Sequence, residues 1–299
     1  MDLLHPYQVC RAIYYGQRWR LKRFLRIPDR PVNPVVDGDP ELAFERHLRI
    51  CTLLDKSMAA LGSDFKGGVA CEIGCGDCLS TADLLLGLGF KKIYLIEKKP
   101  IVLNDRQSAL LTRLASLPGL PNAMTCLVDG DPPVLNNKVQ IIPEYFENAE
   151  LPEQVDFIFS NDVIEHVEDL GGFFSGCARI LKPGGLMLHK FDLSGHEFFE
   201  DPLPPLDFQT YPRWLYEFMF PKYRRAVGNF ADTIFDEIRK QGLEIADIIP
   251  IRTADPSYLS KIWPSLRKAA RERSSEIVAL LDVVVIVRKP NHHPLTRHQ

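Results

Sequence analysis

The chain has 299 residues, of which 45% are hydrophobic and 25% charged, and its net charge is -3. This length suits one large domain with a smaller addition, and the charge balance gives no general reason to bind nucleic acid. No apolar run approaches the roughly 18 residues that span a bilayer, no signal peptide pattern opens the chain, and the seven cysteines fit a reducing compartment. We therefore expect a cytoplasmic protein, a monomer or homodimer, without nucleic acid as a partner.

Residues 1–62 are predicted to form an N-terminal helical extension. Its first thirty residues mix arginines with aromatic residues, which fits a basic helix on a membrane surface or a helix that packs its aromatics on the domain. We favour packing, because arginine stems commonly cover apolar surface. A second helix is predicted from the N-cap Asp39 and Pro40 to Gly62. Its apolar residues recur at helical spacing and predict a buried face: Phe44, Leu48, Cys51, Leu54, Met58 and Leu61.

From Gly68 onward, short apolar strands alternate with helical segments. Strands are predicted at 69–73, 92–96, 139–142, 155–159, 185–191, 243–249 and 282–287, and helices at 80–88, 102–115 and 230–240. This alternation indicates an α/β fold with a doubly wound, mostly parallel sheet covered on both faces. The predicted domain covers 63–290, and 291–299 is predicted to be a flexible tail.

The turn after the first strand reads Glu72-Ile73-Gly74-Cys75-Gly76. In doubly wound sheets, ligands bind beyond the carboxyl ends of the strands, and glycines let them approach the backbone. Glu97 follows the second strand, where an acid can accept hydrogen bonds from both ribose hydroxyls. Leu79 occupies the position where dinucleotide-binding loops need a small residue, and Glu72 would repel a pyrophosphate. Both residues therefore favour a cofactor without phosphates.

Five segments in this order resemble class I (Rossmann-like) SAM-dependent methyltransferases of the small-molecule branch. They are 69–79, Glu97, 147–152, 155–167 and 181–185. The resemblance implies S-adenosyl-L-methionine (SAM) as cofactor and a seven-stranded sheet with an antiparallel C-terminal hairpin. It also implies cofactor contacts from the following residues: Glu72, Gly74, Cys75, Gly76, Glu97, Glu147, Asn161 and Asp162. The chain departs from the family pattern in its long connection between Val102 and Val139, and in having Glu147 where aspartate is more frequent.

Three other patterns suggest different chemistry. Cys71, Cys75 and Cys78 have the spacing with which radical-SAM enzymes bind an iron–sulfur cluster, but the first cysteine lies in a predicted buried strand. Adjacent Glu165 and His166 point in different directions if helical, so we interpret the pair as structural. The segment from Asn161 lacks the prolines and the aromatic residue that nucleic-acid amino-methylases carry there. No metal ion is expected.

The acceptor side is predicted to lie after the fifth strand. Residues 192–228 are rich in aromatics and are predicted to form an acceptor lid, although a helical layer with its own core has the same composition. His196, oriented by Asp192, is predicted to act as a general base, with His189 as the alternative. The sequence thus predicts methyl transfer to oxygen or nitrogen of a small molecule. A non-catalytic SAM sensor or scaffold is the other interpretation.

Overall fold

The structure is a computed structural model. It describes residues 10, 13–14, 16–18, 20–21, 24–25, 38–62, 65–121, 126–128, 134–195, 204–219 and 228–291. The nine strands are β1 (Val69–Ile73), β2 (Lys92–Ile96), β3 (Leu127–Val128), β4 (Val134–Leu135), β5 (Val139–Ile142), β6 (Val155–Asn161), β7 (Leu181–Asp192), β8 (Glu244–Thr253) and β9 (Leu280–Arg288). The α-helices with complete bounds are α1 (Pro40–Leu61), α2 (Ser80–Gly87), α3 (Asp105–Ala115), α4 (Leu170–Ile180), α5 (Arg213–Met219), α6 (Ala231–Lys240), α7 (Pro256–Ile262), α8 (Lys268–Arg271) and α9 (Ser275–Ala279).

Seven strands form one sheet in the order β5-β2-β1-β6-β7-β9-β8. The first five are parallel, and β9 is antiparallel to both β7 and β8. The chain runs outward from β1 through β2 to β5 and then returns to β6 on the other side of β1. The strand order therefore reverses between β1 and β6, which is where this fold binds ligands. The predicted α/β class, the doubly wound sheet and the antiparallel C-terminal hairpin are confirmed.

Helix α1 follows the predicted capping pattern. The Asp39 side chain accepts a hydrogen bond from the backbone N–H of Glu41, and Gly62 ends the helix in the left-handed conformation. Its buried face packs near the start of α2, where His47 Nδ1 lies 2.9 Å from Ser80 Oγ. Burial lowers the pKa of His47 to about 4, so this ring is neutral at physiological pH. Helix α1 is thus packed against the helix that follows the glycine turn.

The two faces of the sheet pack against different helices. Met187 and Phe191 of β7 belong to the core that also contains residues of α4 and α6. Leu186 and Leu188 belong to the opposite core, which contains residues of α1, α2 and α3. Since side chains alternate along a strand, residues 187, 189 and 191 point away from α1, and residues 190 and 192 point toward its side.

Residues 204–219, the described part of the aromatic segment after β7, form short helices. Within the described part, Phe208, Tyr211 and Tyr216 form a buried cluster with residues of α7, α8 and α9. Trp214 and Phe218 are exposed. The buried aromatics of this described part therefore form a third small core, as the second interpretation expects, and the acceptor lid stays a prediction. The remainder of the lid and most of the predicted tail lie outside the described residues. No helix among the described residues is long and apolar enough to cross a membrane.

Candidate functional site

The turn between β1 and α2 lies at the point where the strand order reverses. Gly74 and Gly76 both have positive φ, 72° and 68°. The N–H of Gly74 donates to the carbonyl of Ile96 at 2.9 Å, and the N–H of Gly76 donates to Glu97 Oε2 at 3.0 Å. The turn is thereby fastened to the end of β2. The structure brings Gly74, Gly76 and Glu97 together as the sequence predicts.

Glycine is required at position 74 by packing as well as by backbone angle. A Cβ atom there would lie 2.6 Å from Val163 Cγ2, a distance that non-bonded carbon atoms do not tolerate. At Gly76 a Cβ would meet nothing within 4 Å, so the space beside that residue is open. The turn therefore packs tightly against the segment after β6 and leaves its outer side accessible to a ligand.

A cavity of about 660 Å³ opens beside this turn and is called here the cofactor cavity. Its lining includes Gly74, Glu97 and Glu147 together with apolar side chains that provide flat walls: Ile73, Ile96, Phe146, Val163, Val167 and Phe173. Tyr145 lies at its mouth, with Lys98 Nζ 4.6 Å from the centre of the tyrosine ring. Apolar walls together with carboxylates such as Glu97 suit a nucleoside, whose base is flat and whose ribose carries two hydroxyl donors.

A second cavity, of about 650 Å³, lies on the α1 side of the same sheet edge. Because Asp192, which is predicted to lie on the acceptor side, lines it, this cavity is called here the acceptor cavity. It is lined by residues of α1, by Asn161 and Asp162 at the end of β6, and by residues of β7, β8 and β9. Asn161 and Asp162 line this cavity, while the next residue, Val163, lines the cofactor cavity. One three-residue segment therefore separates the two cavities.

A chain of ion pairs forms the floor of the acceptor cavity. Lys190 Nζ lies 2.5 Å from Asp162 Oδ1 and 2.9 Å from Asp282 Oδ1. Arg252 continues the chain, with Nε 2.5 Å from Asp282 Oδ2 and Nη2 3.3 Å from Asp192 Oδ1. Burial opposes the charge of Lys190, but the neighbouring aspartates outweigh it and raise the pKa of this lysine. The side chains at the floor are therefore charged, and their ion pairs hold them in place.

Asp162 is the one non-glycine residue of the described chain with a positive φ, 56°. Its carboxylate accepts hydrogen bonds from Lys190 Nζ and from the side chain of Asn161 at 2.8 Å. Backbone strain of this kind costs about 1–3 kcal/mol and persists where surrounding contacts impose it, often at functional sites. The strained residue lies on the segment that separates the two cavities.

Comparison with a family model shows which family this chain belongs to. The family model described as a methyltransferase domain matches residues 44–231, which is more than half of the chain. A solved SAM-dependent methyltransferase from Mesorhizobium loti is 13% identical, covers 78% of this chain and 96% of its own, and has a TM-score of 0.45. The chain belongs to the class I SAM-dependent methyltransferases. SAM is the cofactor of this family.

One further solved structure and one curated sequence are also similar to this chain. The N-methyltransferase NodS from Bradyrhizobium japonicum WM9, solved with S-adenosyl-L-homocysteine, is 15% identical, with coverage of 92% and 99% and a TM-score of 0.43. A ubiquinone biosynthesis O-methyltransferase from Bradyrhizobium sp. (strain ORS 278) is 45% identical over 42 residues. That match spans 14% of this chain and 17% of the curated relative.

Glu72 of this methyltransferase does not face the cofactor cavity as a charged group. It is buried, accepts a hydrogen bond from Thr81 Oγ1, and burial raises its pKa to about 8. A carboxyl group that is mostly protonated at neutral pH does not repel a pyrophosphate by charge. The electrostatic argument drawn from Glu72 is therefore not supported, and its contact with Thr81 suggests that it joins β1 to α2.

The three closely spaced cysteines do not converge. Cys71 packs in the core shared with α4 and α6, while Cys78 packs in the opposite core, shared with α1. Cys75 is half-buried in the turn itself. Because Cys71 and Cys78 belong to different faces of the sheet, one cluster cannot bind both sulfur atoms. Among the described residues, no group of three or more His, Cys, Asp or Glu side chains is arranged to hold a metal ion.

The residues predicted to take part in general-base catalysis lie in different environments. His189 is fully buried against Phe173 and Phe174, hydrogen-bonds with Ser160 Oγ at 2.7 Å, and burial lowers its pKa to about 3. A ring that faces away from the acceptor cavity and stays neutral does not suit the predicted role. Asp192 does line the acceptor cavity, where Ser194 and Arg252 hydrogen-bond to it. His196 lies outside the described residues.

Glu165 and His166 fall in a short 3₁₀ helix between the two cavities. Glu165 is buried, its Oε1 accepts the N–H of Asp192 at 3.3 Å, and burial together with Asp162 raises its pKa to about 8. His166 lines the cofactor cavity. Glu165 contacts the backbone of Asp192, whereas His166 lines the cofactor cavity, which agrees with the interpretation that the pair does not form a proton relay.

Several site residues have no counterpart in the sequence predictions. They are Tyr145 and Val163 at the cofactor cavity, and Arg46, Arg49, Lys190, Ile251 and Asp282 at the acceptor cavity. The basic face of α1 could have been predicted from the sequence, because Arg46 and Arg49 are three positions apart on a helix and therefore share a face. Lys190, Ile251 and Asp282 come from strands that are distant in sequence, and Tyr145 and Val163 come from connections between elements.

Proposed function

We propose that this methyltransferase transfers the methyl group of SAM to an oxygen or nitrogen atom of a small organic acceptor bound in the acceptor cavity. The observation that carries the proposal is the shared wall at residues 161–163, which separates the cofactor cavity from a second cavity with a charged floor. Both volumes fall within the range of roughly 300–1,000 Å³ that is usual for small-molecule sites.

SAM, when bound, supplies an electrophilic methyl group on a sulfonium centre. The chain's part is to hold the two reactants, to align them and to exclude water. Glu97 and the open side of Gly76 would hold the ribose, and Glu147 would lie toward the base. Asn161 and Asp162 would lie toward the amino acid end, because they form the wall beside the acceptor cavity, and Cys75 in the turn is assigned to the same end.

The proton of an acceptor hydroxyl or ammonium group must also be removed. We keep His196 as the proposed base and Asp192 as its partner, because Asp192 lies on the acceptor cavity. The short match to an O-methyltransferase makes an oxygen acceptor one of the two options. In a His196→Ala variant, the initial rate should fall while SAM affinity stays the same. An unchanged rate would remove His196 from the proposal.

The test of the function uses SAM that carries a deuterated methyl group. The protein is incubated with this SAM and a fractionated small-molecule extract, and mass spectrometry follows both S-adenosylhomocysteine and labelled products. Methyl transfer to a small molecule that is lost in Glu97→Ala would support the proposal. SAM binding by calorimetry without any labelled product would instead favour a sensor or scaffold.

A further inference from the structure

The wall of the acceptor cavity formed by α1 is strongly basic. Arg46, Arg49 and Lys56 all line the cavity and are solvent-exposed. With Leu53 they occupy positions i, i+3, i+7 and i+10, which form one face of a helix. The helix thus turns three cationic groups and one apolar side chain toward the ends of β6, β7 and β9.

These cations are not matched by the carboxylates of the cavity. Among the described residues, no Asp or Glu oxygen forms an ion pair with Arg46, Arg49 or Lys56. The three aspartates of the floor already pair with Lys190 and Arg252. The wall therefore presents positive charge that no neighbouring described side chain neutralises.

The space between this wall and the floor is partly apolar. Leu48, Ile50 and Leu53 of α1 contribute to the lining, and Ile251 faces them from β8. Ile251 is 49% exposed, so its side chain is accessible from the cavity. A molecule that fills the cavity would therefore contact aliphatic side chains and a cationic wall at once.

We infer that the acceptor carries an anionic group, a carboxylate or a phosphate ester, which Arg46 and Arg49 bind while its apolar body contacts Leu53 and Ile251. This inference rests on the proposed function, because it assigns the chemical class of the molecule in the acceptor cavity. Arginine suits the task since its planar group forms paired hydrogen bonds to carboxylate and phosphate oxygens. The anion would lie at the α1 wall, and the methyl-accepting atom would lie at the Asn161–Val163 wall.

The test measures binding of matched probes to the protein saturated with S-adenosylhomocysteine. The probes are 3-phenylpropanoate, its neutral amide and 2-phenylethyl phosphate, and dissociation constants come from ligand-observed NMR. We expect the acid to bind about tenfold more tightly than the amide, since hydrogen bonds to charged groups contribute that much. Tighter binding of the phosphate than of the acid would assign phosphate esters, and the reverse order would assign carboxylic acids.

A double variant, Arg46→Gln with Arg49→Gln, should reduce the preference for the acid to less than about threefold. Its control is Arg288→Gln, which removes the same kind of charge from an exposed residue at the opposite edge of the sheet. Equal binding of acid and amide to the native protein would overturn the inference, as would a preference that survives in the double variant. If the acid is preferred but no acceptor is ever methylated, the anion site stands and the proposed function fails.

Discussion

The two cavities at the sheet edge are constructed in different ways. The cofactor cavity is built around one turn, with Gly74 and Gly76 only two residues apart and Glu97 at the end of the neighbouring strand. The acceptor cavity collects side chains from α1 and from four strands that lie as far apart in sequence as Arg46 and Asp282. The first depends on the course of the backbone, whereas the second depends on charged side chains that pair with one another.

This difference explains why one cavity has a recognisable motif and the other does not. A backbone turn that packs against Val163 tolerates few residues, so glycine is needed at a fixed place. A network of charges can be satisfied by many combinations of residues on different strands. The shape of the fold therefore indicates the cofactor, while the acceptor must be inferred from the side chains that surround it.

The largest expected effect concerns the floor of the acceptor cavity. Lys190→Met removes the cation between Asp162 and Asp282, and its side chain is only 15% exposed. Asp162 loses its cation and Asp282 keeps only Arg252, so the free energy of unfolding should fall by about 3 kcal/mol. Urea denaturation of the two proteins measures this difference.

The matched control for that variant is Lys182→Met. Lys182 pairs with Asp156 at 2.8 Å, but both side chains are a third exposed or more. Exposed pairs contribute about 0–1 kcal/mol, so the loss should be small. An equal loss of unfolding free energy in the two variants would show that the ion pairs of Lys190 contribute no more to stability than an exposed ion pair.

The next effect concerns the turn of the cofactor cavity. Gly74→Ala places a methyl group against Val163 and forces a positive φ on alanine, and we expect a loss of about 2 kcal/mol together with weaker SAM binding. Gly62→Ala is the control, because Gly62 has φ 59° and open space around it. It should cost about 1 kcal/mol without any effect on SAM affinity. If SAM affinity fell equally in both, the packing argument would be wrong.

A third effect separates cofactor binding from folding. Glu97→Ala removes the acceptor for the N–H of Gly76 and the proposed partner of the ribose. Calorimetry should show SAM affinity reduced by about tenfold, which is about 1.4 kcal/mol. Glu147→Ala, at an exposed position of the same cavity, should have a smaller effect. Unchanged affinity in Glu97→Ala would exclude the ribose role.

The smallest effect is a pH dependence that originates beneath the turn. Burial raises the pKa of Glu72 from 4.5 to about 8, so between these pH values the folded protein holds a proton that the unfolded chain releases. Stability must then fall as pH rises through this window and level off above pH 8. Without SAM, the native protein should lose about 1 kcal/mol more than Glu72→Gln between pH 7 and 8. Parallel pH profiles of Tm would contradict the assignment.

Much of the cofactor half could be predicted from the sequence. The alternation of strands and helices predicted the sheet, and the capping pattern predicted the bounds of α1 between Asp39 and Gly62. The sequence also predicted that Gly74, Gly76 and Glu97 lie together. These features are local, since each depends on residues within one element or one turn. Their physical requirements are consequently visible as residue types at short spacings.

Other assignments needed the tertiary structure. The sequence places His189 and Asp192 three residues apart at the end of one strand, but alternation turns His189 into the core and Asp192 toward the acceptor cavity. Burial likewise turned Glu72 from a presumed charge into a mostly protonated group. The sequence by itself determined which segments form strands, helices and turns, because those depend on residues close together in the chain. The charge of each buried side chain and its access to a ligand were decided only by the tertiary structure, because they depend on elements that folding brings together.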